Sequence, residues 1–92
     1  MKKKKRIKLR PDFSETVGKF GLSIRAVALA AEMDHAAIHH MLTPAQHLNR
    51  KGGIYPRTAW RLARAFASLT DLHEDDAYKR IIMVVEEDEA AQ

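Results

Sequence analysis

The sequence predicts an all-α fold: a compact domain of four to five helices, with a short C-terminal strand as the alternative ending. Three observations predict it. Helix start and stop signals recur along residues 11–70, with Asp12, Ser23, Asp34 and Pro56 at starts and Gly21 and Pro44 at stops. Between these signals apolar residues return at helical rather than alternating spacing. The 92 residues, 46% hydrophobic and without cysteine, suit one small core and exclude a disulfide or thiolate framework.

Residues 1–10 hold seven of the sixteen lysines and arginines and no acid, so they are expected to form a flexible basic arm. Asp12, with Glu15 three residues on in capping-box spacing, opens the first helix. Phe13, Val17 and Phe20 make its apolar stripe, and Gly21 stops it. Ser23 caps an alanine-rich second helix over residues 24–31, and Asp34 caps a third over residues 35–42, which Pro44 ends. Residues 43–55 read as a polar loop containing Gly52 and Gly53. Pro56 then starts a fourth helix reaching residue 69, with Trp60, Leu62, Ala63 and Phe66 as core candidates.

Asp71 is expected to cap the last segment. There Tyr78, Ile81, Ile82 and Val85, at i, i+3, i+4 and i+7, favour an amphipathic helix. The β-branched run over residues 81–85 and the alternating residues 6–10 offer the alternative of two paired strands, within one chain or across a dimer. The chain thus divides into the arm (1–10), a helical body (11–70) and a closing segment with an acidic tail (71–92).

Charge follows the same division. The formal net charge of +4 conceals an all-basic arm, a mildly basic body and a closing segment with eight acids against two bases. A basic arm on a basic body is an electrostatic footprint for nucleic acid, because each neutralised phosphate releases condensed counterions. The acidic end, residues 86–89, is placed either to keep non-specific DNA away or to contact the arm. No apolar run approaches the ~20 residues of a membrane span, and no apolar stretch follows the basic start as in a secretory signal. A cytoplasmic, nucleoid-associated location is expected. No glycine-rich phosphate loop, nucleophile elbow or evident carboxylate pair points to catalysis, so no enzymatic role is expected.

The most specific pattern lies between Ser23 and Leu42: a short helix, a break of about three residues and a second short helix. Ala28 and Ala31 allow two helices to cross closely, Met33 plugs the corner, and Ile38 and Met41 anchor the second helix. That leaves His35, Ala36, His39 and His40 on an outer face, on a helix of groove-filling diameter. Periodicity alone fits an ordinary α-hairpin equally well.

The stretch LSIRAVALAAEMDHAAIHHML, followed by YPRTAWRLARAF, resembles the phage-repressor and xenobiotic-response-element type of helix–turn–helix domain over roughly residues 12–70. Leu22–Ser23 resembles the opening of that family's second helix, Val27–Ala28 its Leu-Ala pair and Met33–Asp34 its hydrophobic-plus-cap pair. The chain departs from the pattern at Glu32, which stands at the family's turn glycine, and at Ile24, which replaces a polar phosphate-contacting residue. It departs again in its long loop after the third helix, and in Leu42 where an acidic residue often closes that helix.

The resemblance implies a lambda-repressor-like fold in which His35, Ala36, His39 and His40 read base edges, the histidines donating to guanine and Ala36 packing on a thymine methyl. It implies backbone contacts from Ser23, Arg25, Asn49, Arg50, Lys51 and Arg57, to which the arm adds Lys5 and Arg6. Asp34 is assigned to capping, while Arg61 and Arg64 read as surface charges. Tyr78, Ile81, Ile82 and Val85 are the candidate dimer surface, with closure of the core as the alternative. His35, His39, His40, His47 and Asp34 lack the Glu of a His-Glu-x-x-His site, so neither a metal nor any other cofactor is expected.

The expected function is sequence-specific regulation of transcription by a homodimeric repressor of phage, plasmid or mobile-element type, bound to a pseudo-palindromic double-stranded operator. The alternative is an antitoxin-like component that binds a toxin partner protein and represses its own operon.

Overall fold

A computed structural model of the chain describes residues 3–42 and 54–88. The elements in order are β1 (Lys3–Leu9), α1 (Phe13–Lys19), α2 (Ile24–Ala30), α3 (His35–Leu42), α4 (Pro56–Ser68), α5 (Glu74–Ile81) and β2 (Ile82–Asp88). The fold is mostly helical, but the two strands pair as a small antiparallel sheet, which corrects the all-α expectation. None of the described helices is long and apolar enough to cross a membrane.

The body is an alanine-rich helical core. Phe13, Val17, Val27, Ile38, Leu62, Phe66 and Ile81 are its largest fully buried side chains. Ala28 and Ala31 from the α2 region, Ala59, Ala63 and Ala65 from α4, and Ala77 from α5 are buried among them. Small residues at these positions let helices approach closely, and they leave little volume to seal the ends of the core. The strands do the sealing: Leu9 and Ile82, opposite one another in the ladder, are both 4% exposed.

The helix boundaries have identifiable chemical causes. α1 ends with the Leu22 N–H on the Val17 carbonyl (3.0 Å) and the Gly21 N–H on the Gly18 carbonyl (3.0 Å), with Gly21 at φ +74°. α2 ends on the same pair of bonds, Met33 to Ala28 (3.0 Å) and Glu32 to Leu29 (3.1 Å). Both are Schellman endings, which require a left-handed residue just past the helix. At α2 that residue is Glu32, at φ +57°. Leaving the glycine pattern there costs strain but preserves the turn. At the end of α4, the Thr70 hydroxyl donates to the Phe66 carbonyl (2.9 Å) and accepts from the Leu72 N–H (3.2 Å).

Two expected caps are not used. Asp12 flanks α1 without a side-chain cap bond; instead it accepts from Arg10 Nε at 3.2 Å. The guanidinium two residues away competes successfully for the carboxylate. For α5 the cap is His73 rather than Asp71, its Nδ1 accepting from the Asp75 N–H at 3.2 Å.

The segment expected to be a flexible arm is β1. Its register with β2 sets Lys3, Lys4 and Lys5 opposite Asp88, Glu87 and Glu86, and Arg6, Ile7 and Lys8 opposite Val85, Val84 and Met83. The basic start and acidic end are therefore complementary along one ladder, while the apolar pairs pin the end nearest the core. The helix favoured through Val85 stops at Ile81, where the run Ile82, Met83, Val84, Val85 turns extended. β-Branched side chains and a waiting partner strand outweigh the helical spacing.

These facts remove Ile81 and Ile82 from the expected dimer surface. Ile81 and Ile82 lie inside the chain's own core, and Tyr78 is half-buried, stacked on Trp60 with ring centroids 4.2 Å apart. Val85 is half-buried opposite Arg6.

Candidate nucleic-acid interface

α2, the turn and α3 form a unit whose geometry follows from local chemistry. The Ser23 hydroxyl accepts from the Ala26 N–H at 3.1 Å, and Asp34 Oδ1 accepts from the Ala36 N–H at 3.2 Å, so each helix begins on a short polar cap. The α2 Schellman ending fixes the angle at which the chain leaves α2. Ile38 is fully buried, with Met33, Met41 and Leu42 packed partly against the core. That anchoring dictates which side of α3 faces outward.

The outward residues are Ala36, His39 and His40, all exposed, with His35 half-buried beside them. His35 and His39, one helical turn apart, meet edge to face with ring centroids 4.5 Å apart and Nε2 atoms 3.1 Å apart. At that distance one Nε2 donates to the other, with the roles set by the tautomer of each ring. The four residues expected to read bases therefore lie along one helix, but not as four independent side chains: Ala36 and His40 flank a coupled histidine pair. Among the described residues, no three histidine or acidic side chains come together to hold a metal ion.

The expected backbone contacts separate into three groups. Ser23 and Arg25, at the start of α2, and Arg57, in the first turn of α4, are exposed. Lys5 and Arg6 are in β1, Lys5 exposed opposite Glu86 and Arg6 half-buried opposite Val85. Asn49, Arg50 and Lys51 lie outside the described residues.

A cationic surface extends from the expected contact Arg57 to two arginines that were not among the expected contacts. Along α4, Arg57, Arg61 and Arg64 recur at i, i+4 and i+7 and line one open groove of about 770 Å³ with Tyr55, Pro56, Thr58 and Trp60. Tyr55 is 78% exposed, and no acidic side chain is among these lining residues. The i, i+4, i+7 arginine spacing on the polar side of the helix is the sequence signal that marks it.

No known family model, curated protein or solved structure matches the chain.

Proposed function

We propose that the chain is a sequence-specific double-stranded DNA-binding regulator of transcription, acting as a homodimeric repressor that occupies its operator. One observation carries this reading. The α2–turn–α3 unit is capped at both helix starts and closed by a Schellman turn, and it buries Ile38 while turning Ala36, His39 and His40 outward. A short helix presented this way fits the major groove, where imidazole donors reach guanine O6 and N7 and a methyl packs on thymine. Its resemblance to phage-repressor and xenobiotic-response-element domains, carried by residues 22–42 and 55–66, supports the same reading.

Arg25 and Arg57 are the backbone contacts this reading retains within the described residues. Lys5 stands opposite Glu86 in its own sheet, and on this reading the acidic strand beside it offsets part of the attraction of the basic start for phosphate. The test is selection of bound sequences from a random duplex library. Enrichment of a two-fold symmetric site supports the reading, and recovery of unenriched sequence removes it.

One observation favours a second reading, an antitoxin-like role with a protein partner. The groove along α4 combines three arginines with Tyr55 and Trp60, residue types concentrated in protein interfaces. Co-purification of a defined partner, lost on Arg61→Glu and Arg64→Glu, supports that role.

A further inference from the structure

Among the described residues the β2 edge of the two-stranded sheet is open, and two backbone hydrogen bonds determine which groups it offers. The Arg10 N–H donates to the Ile81 carbonyl at 2.8 Å, one step beyond the Leu9–Ile82 pair. In an antiparallel ladder, hydrogen-bonded and non-hydrogen-bonded pairs alternate. Met83 and Val85 therefore bond to Lys8 and Arg6, while Ile82, Val84 and Glu86 direct backbone groups away from β1. An independent contact agrees: the Ile7 carbonyl, opposite Val84, points off the sheet and accepts from the Ile54 N–H at 2.8 Å.

That bond partly covers the free side of β1. Nothing among the described residues covers the free side of β2. The Ile82 N–H is used, donating to the Tyr78 carbonyl in the last turn of α5. The Ile82 carbonyl and both backbone groups of Val84 and Glu86 remain on the edge, and the Val84 side chain is 57% exposed. From Ile82 to Val85 the edge carries no lysine, proline or bulge, the devices that normally blunt such an edge.

We propose that β2 pairs antiparallel with β2 of a second copy of this chain about a two-fold axis at Val84, joining the two small sheets into one of four strands. The inference rests on the dimeric regulator reading and gives it an interface, replacing the buried Ile81 and Ile82.

The pattern of an apolar centre and acidic end lets the strand pair with a copy of itself, and the charges select the register. With Val84 opposite the partner's Val84, each Val84 N–H meets the other carbonyl, and the Glu86 N–H donates to the carbonyl of the partner's Ile82. The apolar Met83 and Val85 then lie opposite the partner's Val85 and the partner's Met83. The two Glu86 positions stand four residues apart along the ladder, about 14 Å. Sliding the pair to place Val85 opposite the partner's Val85 halves that spacing and brings like charges together. Sliding it the other way runs Glu86 past the start of the strand and alongside α5. The sequence is thus self-complementary in one register, apolar at its centre and acidic only at its ends.

The test uses the whole chain and Val84→Pro. The Val84 N–H points away from β1, so proline removes a bond to the partner and none within the monomer, a position edge strands tolerate. Sedimentation equilibrium is expected to give about 21 kDa for the natural chain, twice its 10.5 kDa, and the single-chain mass for Val84→Pro with helical circular dichroism retained. Val84→Lys, which sets two lysines face to face on the axis, is expected to do the same should the proline variant fold poorly. In the natural chain, hydrogen exchange is expected to show the Val84 and Glu86 amides protected in proportion to dimer population. A natural chain that stays at 10.5 kDa overturns the proposal. So does a Val84→Lys chain as dimeric as the parent, or a dimer whose Val84 and Glu86 amides exchange freely. Duplex selection is read separately: symmetric-site binding with β2 unpaired overturns this inference alone, whereas a β2 dimer with no sequence preference leaves the interface and removes the regulator.

Discussion

Single residues decide the shape of the proposed reading head. Glu32 holds a left-handed conformation that side chains other than glycine occupy at a cost of roughly 1–2 kcal/mol, part of which glycine returns through its larger unfolded-state freedom. Glu32→Gly is therefore expected to stabilise the fold by about 0.5–1 kcal/mol in chemical denaturation, without moving α3. Ser23→Ala, which removes the oxygen accepting from Ala26, is expected to cost about 1 kcal/mol by the same measurement. His40 and the coupled pair His35 and His39 carry the chemical variety of the outer face. Replacing His39 or His40 by alanine is expected to change preference at individual base pairs by roughly 1–3 kcal/mol in competition binding, leaving affinity for unrelated duplex nearly unchanged.

Among the helices and strands, much was legible in the sequence and the exceptions share a cause. Gly21, Ser23, Asp34 and Pro56 mark boundaries through bonds made within a few residues, and the structure places helix ends at or beside each of them. β1 was not legible as the favoured reading, because its partner lies about eighty residues away and its lysines dominate the local composition. Tyr78, Ile81 and Ile82 look surplus to a small core until the volume left by the alanines on α2 and α4 is considered. Of the candidate site, the orientation of α3 followed from Ile38 and its neighbours. The His35–His39 bond did not, since it depends on side-chain placement, and the arginine groove is marked in the sequence only by the spacing of Arg57, Arg61 and Arg64. The strand pair has its own tests. Leu9→Ala is expected to destabilise the chain by roughly 2–5 kcal/mol in chemical denaturation, because the side chain is nearly fully buried opposite Ile82. Lys5→Glu is expected to cost roughly 0.2–1 kcal/mol, recovered when Glu86→Lys is added, in a double-mutant cycle of thermal unfolding.

Across the whole molecule, basic and acidic positions share register along the sheet, while arginines stay exposed on the helical body. Lys3, Lys4 and Lys5 of β1 stand in register with acids of β2, while Arg25 on α2 and Arg57, Arg61 and Arg64 on α4 remain exposed. Non-specific attraction to DNA should therefore depend on the body more than on residues 1–10. Charge reversal at Arg25 and Arg57 is expected to weaken binding to every duplex alike. It is also expected to make the salt dependence shallower, by about 0.9 in log–log slope for each phosphate no longer neutralised. The role of α3 as the reading helix is tested most directly by a binding titration of the natural chain and of the His39→Ala, His40→Ala double variant. Each is titrated against the symmetric duplex recovered by selection and against a scrambled duplex of equal length, at several salt concentrations. The natural chain is expected to prefer the selected duplex at every salt concentration, and the double variant to lose this preference while keeping its affinity for the scrambled one. Equal affinity of the natural chain for both duplexes, unchanged by the histidine substitutions, would contradict that role.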